Sequence, residues 1–382
     1  MATINENDGH DPYDCFARLR RIRGTDGPKR ALNWDFTVPV QFEIHPPPPP
    51  TTTMCNFKCH LCSGRNMVQD AQDDWIPTLM ALMKELGNTI PEMVLAGAKT
   101  EPMRNPDYWN ILTLAHSLGI ATITHTNASL LVRDEAKLLH FFSLPGHTQN
   151  TTFSLSIYGG NERGFNQVTG TSAESGLFGD VIEGLKLICR VKRELKSPIS
   201  VRFNYLGSPP NFHEDQIAFI RNIAEEYQPT SMRVALAFTP YATSFDKVKS
   251  HEEVQLRMED GAKEWLTPLL KNNGGVFYRY KPVARQSVNL FDNIDKCRFT
   301  TFKIDAAIDG ELYKCSSVTT GKTHSYGPLP DNRAEFFDIL RRSQDPNFDP
   351  RSSCFDCGHR CNDSGVQLNT NGAFESYVEN YC

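Results

Sequence analysis

Three cysteines within eight residues constrain this chain more than any other sequence feature. Cys55, Cys59 and Cys62 stand in the segment Cys-Asn-Phe-Lys-Cys-His-Leu-Cys, directly after an apolar run that predicts a β-strand. A short loop with this spacing can wrap one iron–sulfur cube and bind three of its four irons through thiolates. Because no fourth cysteine is close in sequence, the last iron would stay open to a ligand from outside the chain.

Two other interpretations of these thiols remain open at this point. The first is a zinc site completed by His60 or by a distant ligand, although zinc sites usually combine one CxxC pair with a second pair. The second is that the three thiols have no common function.

The rest of the composition indicates a cytoplasmic protein. The 382 residues include 11 cysteines, and an odd number in a chain without an export signal argues against a disulfide framework. The N-terminus lacks the basic and apolar regions of a signal peptide, and no apolar run reaches the roughly 18 residues that span a bilayer. A net charge of -5 gives no electrostatic reason to expect nucleic acid or a membrane as a partner.

Strand-like and helical patterns alternate from about residue 37 to 240. The predicted strands are 38–44, 93–97, 120–125, 153–158, 199–205 and 232–236, and the predicted helices are 75–86, 108–118, 134–142, 178–195 and 213–227. Alternation of this kind predicts an α/β fold made of parallel βαβ units with right-handed crossovers. An open doubly wound sheet and a barrel both satisfy the pattern.

Composition divides the chain into four predicted regions. They are an N-terminal extension at 1–36, the α/β body at 37–240, a connecting segment at 241–295 with one helix near 252–270, and a cysteine-rich α+β region at 296–382. The last region has short strands at 301–308 and 312–314, which predict a hairpin that turns at Asp309 and Gly310. Because it is poor in helix and in apolar residues, we expect bound metal to hold it together.

The cysteine loop resembles the signature of the radical S-adenosylmethionine (SAM) enzymes. In that family a CxxxCxxC loop follows the first strand of a partial (β/α)6 TIM-like barrel, and the resemblance covers about residues 37–240. It implies a [4Fe-4S] cluster on Cys55, Cys59 and Cys62, with an open iron that binds the amino and carboxylate groups of SAM. It also implies a reductant such as flavodoxin or ferredoxin, and a 5′-deoxyadenosyl radical that takes a hydrogen atom from the substrate.

The same resemblance places SAM contacts near the ends of later strands. Gly97 and Glu101 stand in a segment similar to the family's GGEP stretch, and Asn127 stands in one similar to TNG-x-L-L. Ser156 on the fourth strand and Arg202 on the fifth complete the set, near the strand ends where parallel barrels bind ligands. Each has an ordinary alternative, because Ser and Asn often cap helices and Arg202 can form a common salt bridge.

Six more cysteines fall in the last region: Cys297, Cys315, Cys354, Cys357, Cys361 and Cys382. The spacing C-x12-G-x4-C resembles the opening of the SPASM or twitch extension of the same family, which carries auxiliary [4Fe-4S] clusters. We predict one auxiliary cluster on Cys297, Cys315 and two of Cys354, Cys357 and Cys361. A structural zinc fits the same residues, and Cys382 is available for a second cluster.

Together these features predict a radical SAM enzyme of the oxidoreductase or epimerase type. Its predicted substrate is a small polar natural product or sugar-like molecule, dehydrogenated or epimerised in a biosynthetic pathway. The extension at 1–36 is too short for the winged-helix domain that peptide-modifying members often carry, which favours a small substrate. The alternatives are a peptide-modifying enzyme that matures ribosomal peptides and, from another class, a non-catalytic iron–sulfur or zinc protein.

Overall fold

The structure is a computed structural model that describes residues 41–50, 52–59, 62, 74–97, 100–236, 277–281, 303–313 and 325–343. The predictions for the six late cysteines, for the extension at 1–36 and for the helix near 252–270 lie outside the described residues. Among the described helices, none is long and apolar enough to cross a membrane.

The described residues form two compact units, and each unit combines separate stretches of the chain. The first contains residues 55–59, 62, 124–236 and 277–281. The second contains residues 41–50, 52–54, 74–97, 100–123, 303–313 and 325–343.

Strands and helices alternate along most of the described chain. In chain order they are β1 Gln41–Ile44, α1 Ile76–Leu86, β2 Glu92–Leu95, α2 Tyr108–Ser117, β3 Ala121–Thr126, α3 Glu135–Ser143, β4 Thr152–Ile157, α4 Glu162–Thr169, α5 Leu177–Glu194, β5 Ser200–Gly207, α6 Glu214–Tyr227, β6 Ser231–Leu236, β7 Phe277–Lys281, β8 Lys303–Ala306, β9 Glu311–Tyr313, β10 Ser325–Pro328 and α7 Arg333–Ser343. All the strands and helices predicted between residues 37 and 240 are present, with bounds that differ by a few residues.

The strand pairing is mostly parallel, which confirms the predicted α/β class. In the first unit β4, β5, β6 and β7 pair in that order, all parallel. In the second unit β1 pairs in parallel with β2 on one side and β8 on the other, whereas β9 and β10 continue as antiparallel strands. In the first unit α5 has one apolar face, where Val181, Leu185 and Ile188 are buried, while Lys186 is exposed.

Four elements were not predicted from the sequence: α4, β7, β10 and α7. For α4 the terminal signals are present, since the Asn161 side chain accepts a hydrogen bond from the Gly164 N–H at 2.8 Å and Gly170 ends the helix at φ +64°. Only eight residues lie between these caps, which is too short a run for periodicity to show. α7 lies in the region that was predicted to be poor in helix.

The predicted late hairpin is present and it extends the sheet of the second unit. β8 pairs in parallel with β1, so that Glu43 lies opposite Asp305, and β9 returns antiparallel to β8. The turn between them needs Gly310, which has φ +74° and whose added Cβ would lie 2.7 Å from the Trp75 side chain. Strands that are about 260 residues apart in sequence thus become neighbours in one sheet.

Four charged side chains meet between β1 and β8. His45 Nε2 lies 3.2 Å from Glu43 Oε1 and 3.7 Å from Asp305 Oδ1. Lys303 Nζ forms an ion pair with Glu43 and lies 3.5 Å from Asp305 Oδ1. None of the four residues is more than 8% exposed, so a charge among them without an opposite charge nearby would be costly.

Burial and neighbouring charges shift the pKa values in this quartet of Glu43, His45, Lys303 and Asp305. Burial alone would lower the pKa of His45, but Asp305 and Glu43 outweigh burial and raise it to about 9. Burial would raise the pKa of Glu43, but Lys303 and His45 hold it well below its usual range. The pKa of Asp305 is raised, chiefly by burial. Glu43 and His45 are thus held in their charged forms, whereas burial favours the neutral form of Asp305.

We expect the free energy of unfolding to fall as pH rises from 6.5 to about 9. The folded pKa of His45 lies above its ordinary value of 6.5, so the stabilisation is complete below pH 6.5 and is lost as pH rises to about 9. Denaturant unfolding at those two pH values measures this loss of unfolding free energy. The loss should be about 3 kcal/mol smaller in His45→Gln than in the wild type. His140→Gln, on an exposed position of α3, is the control and should keep the wild-type profile. Equal profiles for wild type and His45→Gln would contradict the expectation.

Candidate metal centre

The cysteine loop lies in the first unit with its thiols partly or wholly shielded from water. Cys59 is buried, Cys55 and Cys62 are half-buried, and all three are free thiols. The Cys62 N–H donates to the Cys59 carbonyl at 3.1 Å, so the loop turns back on itself. The Phe57 N–H lies 3.4 Å from Cys55 Sγ, which is the kind of backbone contact that stabilises a thiolate.

The three loop sulfurs are not gathered around a single point. Three thiolates on one tetrahedral zinc lie about 3.8 Å apart, because each Zn–S bond is about 2.3 Å. Within the described parts of the chain, the one set of three potential ligand atoms that all lie within 4.8 Å of one another is that of Glu43, His45 and Asp305, so at least one pair of loop sulfurs is farther apart than that. Three thiols on one short loop are the donor set that an iron–sulfur cube takes.

Aromatic side chains cover the loop. The Phe57 ring meets the Tyr158 ring edge to face at a centroid distance of 6.0 Å and the Phe165 ring at 5.3 Å. Phe165 in turn contacts Phe178 of α5 at 5.5 Å. An apolar cover of this kind limits the access of water to a bound cluster and so influences its reduction potential.

The Cys59 thiol is placed where a nearby positive charge is needed to ionise it. Burial raises the pKa of Cys59 far above its ordinary value of 9.0, and the nearby Cys55 and Cys62 raise it further. Burial also raises the pKa of the Tyr158 phenol, and the same three thiols add to this effect. Bound metal would supply the missing positive charge and hold the cysteines as thiolates.

The end of α4 supports the loop backbone from one side. The Lys58 N–H donates to the Thr169 carbonyl at 2.7 Å. Gly170, which follows, approaches so closely that an added Cβ would lie 3.0 Å from the Lys58 carbonyl oxygen. The short helix missed by the periodicity analysis therefore has a direct part in shaping the site.

The turn after β3 supports the loop from the other side. Asn127 Nδ2 lies 2.9 Å from Asn56 Oδ1 and 4.0 Å from Cys55 Sγ, and Asn56 Nδ2 donates to Ser129 Oγ at 2.7 Å. Sequence reasoning singled out Asn127 but missed Asn56 and Ser129. The signal that was available is an amide directly after the first cysteine, together with a second polar residue after Asn127.

Of the predicted SAM contacts, Asn127, Ser156 and Arg202 belong to the same unit as the loop. Ser156 is half-buried near the end of β4. Arg202 is buried, but it is the third residue of the eight-residue β5 and lies opposite Ser154. The expected strand-end position is therefore wrong for Arg202, which lies in the first half of β5 and five residues before its end.

Gly97 and Glu101 belong to the second unit. An added Cβ on Gly97 would lie 1.8 Å from the Thr100 carbonyl oxygen, so the chain can fold back there only at a glycine. Glu101 is 3% exposed, and its carboxylate accepts a hydrogen bond from the Met103 N–H at 3.4 Å. It caps the turn Pro102–Arg104, which is the ordinary alternative for a polar residue at this position.

Comparison with known proteins gives one relative among curated proteins. No protein-family model matches the chain. The relative is dTDP-4-amino-4,6-dideoxy-D-glucose ammonia-lyase of Streptomyces venezuelae, which is 26% identical over 158 residues. That alignment covers 41% of this chain and 31% of the relative, so the chain matches less than a third of that enzyme's length.

Solved structures resemble the chain more extensively. SuiB of Streptococcus suis bound to S-adenosylmethionine has a TM-score of 0.56 and 16% identity, over 84% of this chain and 68% of SuiB. SuiB bound to the precursor peptide SuiA has a TM-score of 0.56 and 15% identity, over 94% of this chain and 74% of that one. At such identities the likeness concerns the fold. These neighbours are radical SAM enzymes, and the chain has their fold, as the resemblance of its cysteine loop predicts.

Proposed function

We propose that the chain is a SAM-dependent radical enzyme whose Cys55, Cys59 and Cys62 hold a [4Fe-4S] cluster. The observation that carries this proposal is the loop of three free thiols, one buried and two half-buried, in a fold shared with SuiB. When bound and reduced, a cluster with one open iron would supply a docking point for SAM and the electron that cleaves its sulfonium to methionine and a 5′-deoxyadenosyl radical.

The chain's own residues hold the thiols and exclude water. The Phe57 N–H stabilises the Cys55 thiolate, and the Lys58 N–H ties the loop to the end of α4. The rings of Phe57, Tyr158 and Phe165 pack against one another at the loop and form its apolar cover. Exclusion of water matters for a primary carbon radical, because a closed site prevents side reactions before the hydrogen atom of the substrate is taken.

The proposed substrate is a small polar molecule of the sugar or natural-product class, and the proposed reaction is a dehydrogenation or an epimerisation. This is supported by the name of the Streptomyces venezuelae relative, which is an ammonia-lyase for an amino sugar attached to a nucleotide. That name adds elimination of ammonia to the reactions worth testing.

A peptide substrate is the second candidate. It is supported by the structure of SuiB bound to its precursor peptide SuiA. The fold of SuiB in that complex matches 94% of this chain. In this case the enzyme would modify a ribosomal peptide.

An auxiliary cluster on Cys297, Cys315 and two of Cys354, Cys357 and Cys361 is part of the same proposal. The described hairpin supports it, because antiparallel pairing puts the start of β8 and the end of β9 side by side. In sequence Cys297 precedes β8 and Cys315 follows β9. Near the substrate, such a cluster would accept an electron and favour net oxidation.

Removal of the loop thiols should abolish SAM cleavage. We expect the anaerobically reconstituted wild type to bind about eight irons, for two cubes, and to release 5′-deoxyadenosine from SAM with dithionite. The triple variant Cys55→Ala, Cys59→Ala, Cys62→Ala should keep about four irons and release none. Cys189→Ala, at a buried position of α5, is the control and should retain cleavage. A colourless zinc protein that leaves SAM intact would disprove the proposal.

Label transfer should identify the substrate class. We expect deuterium from ring-deuterated dTDP-4-amino-4,6-dideoxy-D-glucose to appear in 5′-deoxyadenosine, because the radical removes hydrogen directly from its substrate. Mass spectrometry of the released nucleoside measures the transfer, and unlabelled sugar nucleotide is the control. Release of unlabelled 5′-deoxyadenosine from the deuterated compound would contradict the sugar-nucleotide class and leave the peptide candidate.

A further inference from the structure

Three polar side chains form a closed set of hydrogen bonds beside Cys55. Asn56 Nδ2 donates to Ser129 Oγ at 2.7 Å, Ser129 Oγ donates to Asn127 Oδ1 at 2.6 Å, and Asn127 Nδ2 donates to Asn56 Oδ1 at 2.9 Å. We call these three residues the polar triangle. Each member both donates and accepts, so the orientation of each amide is fixed by the other two.

The polar triangle also reaches a sulfur. Asn127 Nδ2 lies 4.0 Å from Cys55 Sγ. An amide nitrogen carries two hydrogens, so it can donate to Asn56 and to the sulfur together. The Phe57 N–H, 3.4 Å from the same sulfur, is a second donor. Hydrogen bonds to a ligand sulfur stabilise the reduced, more negative cluster and so raise its potential.

The turn that carries Asn127 and Ser129 is fixed independently of the loop. Ala128, between them, is fully buried and has φ +66°, a left-handed conformation that costs a non-glycine residue about 1 kcal/mol. Its N–H donates to Thr126 Oγ1 at 3.2 Å, and its carbonyl accepts from the Leu131 N–H at 3.2 Å. Such strain persists only where the surroundings determine the conformation, so the turn is a rigid platform.

We propose that Asn56, Asn127 and Ser129 are positioning residues that fix the Cys55 sulfur and raise the potential of the cluster it binds. The inference rests on the proposed function, because it concerns the same loop. It also changes the role of Asn127, which the family resemblance implied to be a SAM contact. Both ends of its amide are engaged by the polar triangle, so Asn127 acts on the cluster through Cys55.

The decisive experiment compares Asn127→Asp with the wild type. The aspartate keeps the acceptor for Ser129 and the shape of the side chain, but it removes the donor to Asn56 and to the sulfur. We expect iron to be lost to a chelator about ten-fold faster, as is usual when a metal's outer partners are removed. We also expect a lower midpoint potential of the loop cluster in an EPR-monitored redox titration. The signal to follow is the one that changes when SAM is added, because that signal belongs to the cluster that binds SAM.

Two further variants distinguish the loss of the hydrogen bonds from the negative charge that Asn127→Asp adds. Ser129→Ala breaks the polar triangle without adding charge and should change both measurements in the same direction, though less. Asn150→Asp makes the same amide-to-carboxylate change before the start of β4 and should match the wild type.

The outcomes distinguish this inference from the function on which it rests. A wild type that takes up iron, with variants that keep its potential and its rate of iron loss, would overturn the inference alone. A wild type that takes up no iron would overturn both, because the polar triangle would then have no cluster to position. A thermal unfolding midpoint near the wild-type value ensures that the variants are folded.

A steric test changes a residue of α5 that contacts the same turn. An added Cβ on Gly184 of α5 would lie 2.3 Å from the Ala128 carbonyl oxygen, so Gly184→Ala must displace the turn. We expect faster iron loss and a lower potential in this variant. Gly179→Ala, in the same helix with nothing within 4 Å of the added Cβ, is the matched control and should leave both unchanged. Identical behaviour of the two variants would contradict a role for the turn.

Discussion

The first unit depends on holding three free thiols, one buried and two half-buried, on one short loop. Burial makes the thiolate form costly, as the raised pKa of Cys59 indicates, so the loop is suited to bound positive charge. Eight residues cannot hold such a conformation alone. The end of α4 binds the loop backbone at Lys58, and the turn after β3 binds it at Asn56 and Cys55.

The second unit also buries ionisable side chains, here between two neighbouring strands. β1 and β8 meet through buried Glu43, His45, Lys303 and Asp305, two basic and two acidic side chains whose attraction offsets part of the cost of burial. The carboxyl groups raise the pKa of His45 to about 9. Pairing of β8 with β1 also makes the start of the late region a part of the main sheet.

Comparison of sequence and structure shows where local patterns are informative. Local patterns located β1 to β6 and the longer helices, since most of these strands are runs of buried residues and each longer helix buries one repeating face. Periodicity missed α4, whose caps Asn161 and Gly170 leave too few residues for a repeat. The family resemblance placed Arg202 near a strand end, whereas β5 runs five residues beyond it.

The sequence alone determined the α/β class and the identity of the loop thiols, because hydrophobic spacing and the chemistry of cysteine are local properties. Tertiary structure decided which partners these residues have. Asn56 and Ser129 are 73 residues apart, and Glu43 and Asp305 are farther apart still, yet each pair is in one cluster of contacts. Such neighbours arise only when strands take their order in a sheet, which no short window of sequence specifies.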